Sequence, residues 1–367
     1  MEQALQSSFY KRAAAESTNV SRARRLVLEH GWNSTSFQIT NPGIERWFSR
    51  DGKAVVGYVR SNGVRVVAGA PVCEKERLAE IVNRFEGAAR KHGESVCYFA
   101  AESRLESIVA HNEGYSKFLI GAQPAWHPAF WADNIAGHRS LRAQLNRARN
   151  KDVVVSEWPI ESAMDHPDLA DCLRQWLDSK ALPPLHFMVE SNTLARLANR
   201  RVFVAQREGI VVGFVVLSPV ELRNGWLFEQ FPHRPGAPNG TVELMIDTAM
   251  RALAGAGCDY ATLGLSPLSR RAQVDDTQQP LWLRFMLGWV RKHGQRFYNF
   301  DGLDAFKAKL RPERWEPVFA IVNEPRVRLG ILRAIAGAFS GNATTKMIAT
   351  GIARAAASEF RWILRKV

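Results

Sequence analysis

Between Phe297 and Pro317 the sequence reads Phe-Tyr-Asn-Phe-Asp-Gly-Leu-Asp-Ala-Phe-Lys-Ala-Lys-Leu-Arg-Pro-Glu-Arg-Trp-Glu-Pro, with Lys307 and Lys309 two residues apart among aromatics. A plain core element does not mix cations and aromatic rings so closely. Cations against an aromatic wall suit an anion, so a transferase pocket for a charged, phosphate-bearing substrate is expected here. In an extended segment residues two apart share a face, which would aim both lysines the same way, at a phosphate or a developing oxyanion. The competing reading is a solvated lysine pair.

A second stretch, Phe231-Pro-His-Arg-Pro-Gly-Ala-Pro-Asn-Gly240, follows an apolar run and opens a helical pattern. Such a turn at a helix N-terminus offers free backbone N–H groups to an anion, although Pro235 and Pro238 remove donors. Glu229 and Glu243 flank it. Either acid suits holding an ammonium group or deprotonating an acceptor. Glu243 equally suits a first helical turn for its dipole, and His233 fits a structural or a catalytic part. No Gly-x-Ser-x-Gly elbow, P-loop or His-Glu zinc motif occurs. Cys73, Cys97, Cys172 and Cys258 form no Cys-x-x-Cys pair, so neither a metal nor another cofactor is expected.

Positioning these residues requires an α/β scaffold. Residues 1–33 are polar, basic and helical in pattern, with a stop at His30-Gly31-Trp32. Runs at 54–60 and 64–70 flank Ser61-Asn62-Gly63, a strong hairpin signal. Residues 74–92 carry Leu78, Ile81, Val82, Phe85 and Ala89 at helical spacing. A strand at 95–101, a short helix at 104–112 and a strand at 116–122 follow. The second half repeats the theme, with strands at 201–206, 210–219 and 225–231, a helix at 240–254, a strand at 260–265, a helix at 280–293 and a closing strand at 318–322. The reading is an N-terminal helical segment (1–33), two mixed α/β units (34–135 and 136–325) and a C-terminal helical tail (326–367).

The charge is uneven. The 367 residues hold 49 basic and 36 acidic side chains, a formal net charge of +13, which attracts nucleic acid, anionic membrane or phosphate-rich ligands. Two segments concentrate it. The helical stretch 139–151 has Arg139, Arg142, Arg147, Arg149 and Lys151 around a Leu141, Leu145 and Ala148 stripe, without an acid. It reads either as a solvated linker helix or as a phosphate-contacting one. The tail 326–367 sets eight basic residues against Glu359, with Ile331, Leu332, Ile335 and Phe339 on one face. It fits a membrane interface or a helix packed back on the protein. No secretory signal and no run of about 18 apolar residues is present, so a cytoplasmic location is expected, with membrane contact from that side.

Three motifs, Ala237-Pro-Asn-Gly-Thr-Val-Glu-Leu-Met245, Leu263-Gly-Leu-Ser-Pro-Leu-Ser269 and the 297–317 segment, stand in the order of one family. The chain resembles the catalytic domain of lysylphosphatidylglycerol synthases, over about residues 35–325. The resemblance implies tandem acetyltransferase-like (GNAT-type) folds and transfer of an aminoacyl group, lysyl or alanyl, from aminoacyl-tRNA to a lipid hydroxyl such as that of phosphatidylglycerol. On it rest the candidates: Glu229, Glu243, His233 and Lys307 for catalysis; Arg234, Asn239, Gly240, Ser266, Tyr298, Asp304, Lys309 and Trp315 for substrate; Arg139, Arg142, Arg147 and Arg149 for tRNA. The expected partners are aminoacyl-tRNA and an anionic lipid surface. Three features depart from the pattern. Pro232 stands where an arginine is expected three residues after the acid, an extra residue separates Pro312 from Trp315, and the relatives' multi-helix membrane part has no counterpart here. Rival readings are a coenzyme-A-dependent N-acyltransferase, a hydrolase of aminoacyl lipids, and a non-catalytic binder of RNA or membrane.

Overall fold

Asn62 and Gly63 turn the chain with φ of 50° and 73° in a computed structural model that describes residues 17–179, 187–189, 192–272, 274, 282, 283, 286, 288 and 299–340. Two consecutive positive φ values match the right-handed twist of the strands they join. Those strands are β2 (Val55–Ser61) and β3 (Val64–Ala68), preceded by helix α1 (17–30) and by β1 (Glu45–Phe48), a strand the sequence reading passed over. Helix α2 (Leu78–Arg90) buries Leu78, Ile81, Val82, Phe85 and Ala89, the stripe its spacing predicts. Strand β4 (Ser95–Ala101), helix α3 (Ser103–Val109) and strand β5 (Ser116–Trp126) complete this half.

Helices α4 (Trp131–Gly137) and α5 (Arg139–Arg149) lead into the second half. There β6 (Val153–Trp158), the short α6 (Ile160–Ala163), α7 (Pro167–Asp178), β7 (Arg201–Arg207), β8 (Ile210–Val220), β9 (Gly225–Gln230), α8 (Thr241–Gly255) and β10 (Tyr260–Thr262) follow. The two-residue β11 (Ser266–Pro267), α9 (Phe300–Lys309), β12 (Arg314–Val322) and α10 (Leu329–Ser340) close the described chain. The architecture is mixed α/β, with helices on both faces. The expected helix at 280–293 lies almost wholly outside the described residues.

One 12-stranded sheet runs through both halves in the order β1-β2-β3-β4-β12-β5-β10-β9-β8-β7-β6, with β11 on β5. The closing strand therefore does not end the second half. It inserts between β4 and β5, antiparallel to both. Its sequence suits that place: Val318, Ala320 and Val322 join one apolar cluster, while Phe319 and Ile321 join the cluster on the other face. A strand buried on both faces reads as a continuous apolar run.

A polar network pins the halves together. Arg223, in the turn between β8 and β9, donates through Nη1 to Glu102 Oε2 at 3.2 Å and to Glu316 Oε2 at 2.9 Å, and pairs through Nη2 with Glu316 Oε1. Its guanidinium lies 3.5 Å from the Tyr260 ring centroid. Gln123 Nε2 and the Tyr260 hydroxyl each donate to Glu316 Oε2 at 3.1 Å, and Ser34 N donates to Glu102 Oε1 at 2.7 Å. Glu316 of the Trp-Glu-Pro motif is thus a tie within the sheet.

Helix α5 packs across α8 at Gly240, the residue capping α8, where φ is 95°. An added Cβ there would press into the Gln144 carbonyl oxygen. Gly240→Ala is expected to cost about 2–4 kcal/mol, from backbone strain plus overpacking, read as a fall in the thermal midpoint. At the chain's far end α10 buries Ile331, Ala334 and Ala338 in the cluster under β2 and β3, and Phe339 meets Phe99 edge-on at 5.1 Å. This part of the tail packs back on the protein; residues 341–367 lie outside the described residues.

Candidate functional site

The two pocket lysines do not share a face, because the segment that carries them is helical. Asn299 caps α9 by accepting from Gly302 N at 2.8 Å, Asp301 sits in the first turn, and both lysines fall in the last turn. Residues two apart on a helix point in widely different directions. Lys307 turns inward, is 4 % exposed, and donates through Nζ to the carbonyls of Gly264 at 2.8 Å and Leu265 at 2.9 Å. Lys309 turns to the first turn of α8 and pairs with Glu243 Oε1 at 2.7 Å.

Helix α9 is held over the C-terminal ends of two parallel strands. Pairing of β9 with β10 ends at Leu227 and Thr262, after which Gly264, at φ 68°, turns the chain into β11. Beyond β9, Phe231 meets Phe306 of α9 at 6.4 Å. Strand ends of this kind are where open α/β sheets place ligands.

The polar groups gathered there are incompletely satisfied. One turn before Lys307, the buried Asp304 accepts from Arg271 Nε at 2.7 Å through Oδ2, while Oδ1 has no hydrogen-bond partner among the described residues. The Ser266 hydroxyl, in a residue 1 % exposed, has none either. Buried polar atoms are normally paired, so these two orphans are candidate ligand contacts. Arg271 also stacks over Trp315 at 5.4 Å. Burial pushes the Lys307 ammonium down to about 7, with the Asp304 carboxylate opposing that shift.

The other candidates take other partners. Glu229 pairs with Arg200 Nε at 2.7 Å, both nearly buried. Its neighbour Phe228 packs with α8, so Glu229 faces the opposite side of the sheet. His233 Nδ1 is 2.8 Å from the Phe231 carbonyl, and the residue bridges to Gly213 of β8. Arg234 binds Asp171 of α7 at 2.5 Å and the Val211 carbonyl at 2.7 Å, away from α9. Asn239 is exposed in the loop, and Gly240 serves the α5 contact. Tyr298 lies outside the described residues. All four arginines of α5 are exposed; Arg142 also reaches the Ala136 carbonyl and Arg149 also pairs with buried Asp247 at 2.9 Å. Sequence reading missed Arg200, Arg271 and Arg223. Arg271 stands two residues beyond the Leu263–Ser269 motif, which could have flagged it; the other two carry no local signal.

Residues 24–322 match the family model described as phosphatidylglycerol lysyltransferase, C-terminal. The phosphatidylglycerol lysyltransferase of Bacillus subtilis (strain 168) is 24% identical over 307 residues, covering 81% of this chain and 34% of that protein. The phosphatidylglycerol lysyltransferase of Staphylococcus aureus (strain MRSA252) is 23% identical over 319 residues, with 83% and 36% covered. The chain spans about a third of the length of these curated relatives. Among solved structures, a C-terminal domain from Agrobacterium fabrum described as that of a lysylphosphatidylglycerol synthetase superposes with a TM-score of 0.73 at 23% identity, covering 90% of this chain and 99% of that one. L-PGS from Bacillus licheniformis superposes with a TM-score of 0.71 at 19% identity, covering 86% and 94%. With matched residues running through α9 and β12, the chain belongs to the family of phosphatidylglycerol lysyltransferase C-terminal domains.

Proposed function

We propose that this chain moves an aminoacyl group from aminoacyl-tRNA to the hydroxyl of a lipid such as phosphatidylglycerol, at the Lys307, Asp304 and Ser266 cluster. The observation that carries the reading is the pair of unpartnered buried atoms, Asp304 Oδ1 and Ser266 Oγ, beside a buried lysine. A carboxylate oxygen without a partner accepts from the α-ammonium of an aminoacyl ester, and a free hydroxyl donates to an oxyanion. Neutral Lys307 spends its two N–H bonds on Gly264 and Leu265, so its lone pair remains for a proton.

The step balances on these groups. The lipid hydroxyl oxygen attacks the ester carbonyl carbon while Lys307 Nζ takes the hydroxyl proton. The tetrahedral oxyanion, held by Ser266, collapses and expels the ribose oxygen of the tRNA, which takes the proton back from Lys307. The donor ester is already activated, so positioning and proton transfer supply the rate. Glu243 and Lys309 fix α9 against α8, and Glu229 fixes Arg200. The family membership and the names of the relatives support a lipid acceptor.

A coenzyme A donor fits less well. Acetyltransferases seat the coenzyme's diphosphate at the N-terminus of the helix corresponding to α8. Here a diphosphate would meet the Gln144 carbonyl against Gly240 and the Glu243 carboxylate in the first turn.

Labelled lysyl- or alanyl-tRNA incubated with the protein and phosphatidylglycerol vesicles tests the reading. Label in the lipid is expected. An intact tRNA ester together with saturable coenzyme A binding would overturn it, and labelled free amino acid alone would replace transfer by hydrolysis. For the donor's RNA body, the exposed Arg139 and Arg147 are the proposed contacts. The Arg139→Ala/Arg147→Ala variant is expected to weaken tRNA binding and to reduce the slope of log affinity against log salt by about 2, in a filter-binding titration.

A further inference from the structure

Three arginines meet on the sheet face opposite α8. Arg200 donates to Glu229 at 2.7 Å and to the Arg196 carbonyl at 2.5 Å, with its guanidinium 4.8 Å from the Phe37 ring centroid. Arg196 donates to the Thr40 carbonyl at 3.2 Å. Arg24 comes from α1, whose Ala23, Leu26 and Val27 pack in the same apolar cluster as Phe37. Its Nε is buried with no hydrogen-bond partner, and no carboxylate pairs with it among the described residues. Burial, and then Arg200 and Arg196, hold the Arg24 guanidinium below its ordinary value.

Glu229 thus answers one of three guanidinium groups. Recessed cations left without counter-charge are costly unless a ligand completes them. Guanidinium forks match the paired oxygens of a phosphate. We infer that Arg24, Arg196 and Arg200 form the seat for the phosphodiester of the lipid acceptor's headgroup, an inference that rests on the lipid-acceptor part of the function proposed above. The recess favours a single headgroup over the backbone of a folded RNA, which needs an open surface. The same apolar cluster leads toward the reacting group: Phe37 and Ile39 lie in it, Leu265 packs against it, and the Leu265 carbonyl receives Lys307 Nζ.

The test is calorimetric binding of short-chain, soluble phosphatidylglycerol to the full chain and to Arg24→Gln and Arg196→Gln. Each variant is expected to weaken binding about tenfold, the loss of one charge-assisted contact. Dihexanoylglycerol, which lacks the phosphate, should bind all three proteins alike, and tRNA affinity should not change. Arg24→Lys, with the charge kept and the fork lost, should hold the thermal midpoint and bind the lipid less tightly than the parent, which separates lost contact from lost fold. Unchanged lipid binding in both glutamine variants would overturn the inference, as would a loss confined to tRNA. Binding of free glycerophosphoglycerol as tight as that of the lipid would overturn the lipid as occupant. Arginine-dependent lipid binding without any label transfer would leave the seat standing and sink the transferase; transfer with arginine-independent binding would do the reverse.

Discussion

Lys307→Met is expected to lower aminoacyl transfer by at least about 100-fold, the usual contribution of a positioned base, while tRNA binding stays near that of the parent. The pH profile separates this role from a structural one. A base held down to about 7 by burial is active when neutral, so kcat/KM should rise with pH through about 7 and then level off. The methionine variant should show a flat residual rate. Stability provides a second reading. The folded value of about 7 lies below the ordinary 10.5, so the unfolded chain binds the extra proton between those limits. Folding stability from this group therefore increases as pH climbs across that window, and the increase should vanish from the urea midpoints of Lys307→Met. A transfer rate that falls as pH rises through about 7 would instead assign the charged form to catalysis.

Arg223→Met should give the largest loss of stability, about 3–5 kcal/mol, because it strands Glu102 and Glu316 inside the protein. Burial raises Glu102, and Arg223 is the main group opposing that. At Glu316 burial also raises, but Arg223 and Arg314 outweigh it, so that carboxyl sits below its ordinary value. Removing Arg223 moves both upward. A carboxyl whose folded value exceeds its unfolded one stabilises the protein when protonated, and loses that contribution as pH rises through the folded value. The variant should therefore be closer to the parent at about pH 5 than at about pH 8 in chemical denaturation. A uniform deficit across pH would show that the stranded carboxylates are not the cause.

Local pattern carried much of the scaffold. The Asn62-Gly63 turn and the buried stripe of α2 follow from backbone twist and helical period, which nearby residues decide. The alternation read into Lys307 and Lys309 failed because Asn299 caps a helix there and good helix formers such as Ala305 and Ala308 sustain it. The place of β12 was not legible, since a strand buried on both faces has the same sequence whichever neighbours it takes. Ion partners were hidden for a related reason: Arg200 reaches Glu229 across 29 positions and Arg223 reaches Glu316 across 93. Charge along α5 showed four like arginines but not that Arg142 also meets the Ala136 carbonyl and Arg149 a buried aspartate, partners set by other segments.

The insertion of β12 also governs how the chain comes off the ribosome. Strands β4 and β5 emerge early, but the strand that separates them is nearly the last described element to be made. Until then the nascent N-terminal portion carries two unfilled strand edges, the kind of surface that recruits other chains or a chaperone. Joining Ser116 to Val322 closes a loop of about 200 residues, so the final step of maturation is slow and non-local. A stop or a proteolytic nick ahead of Arg314 would leave behind an aggregation-prone fragment in place of a smaller working unit.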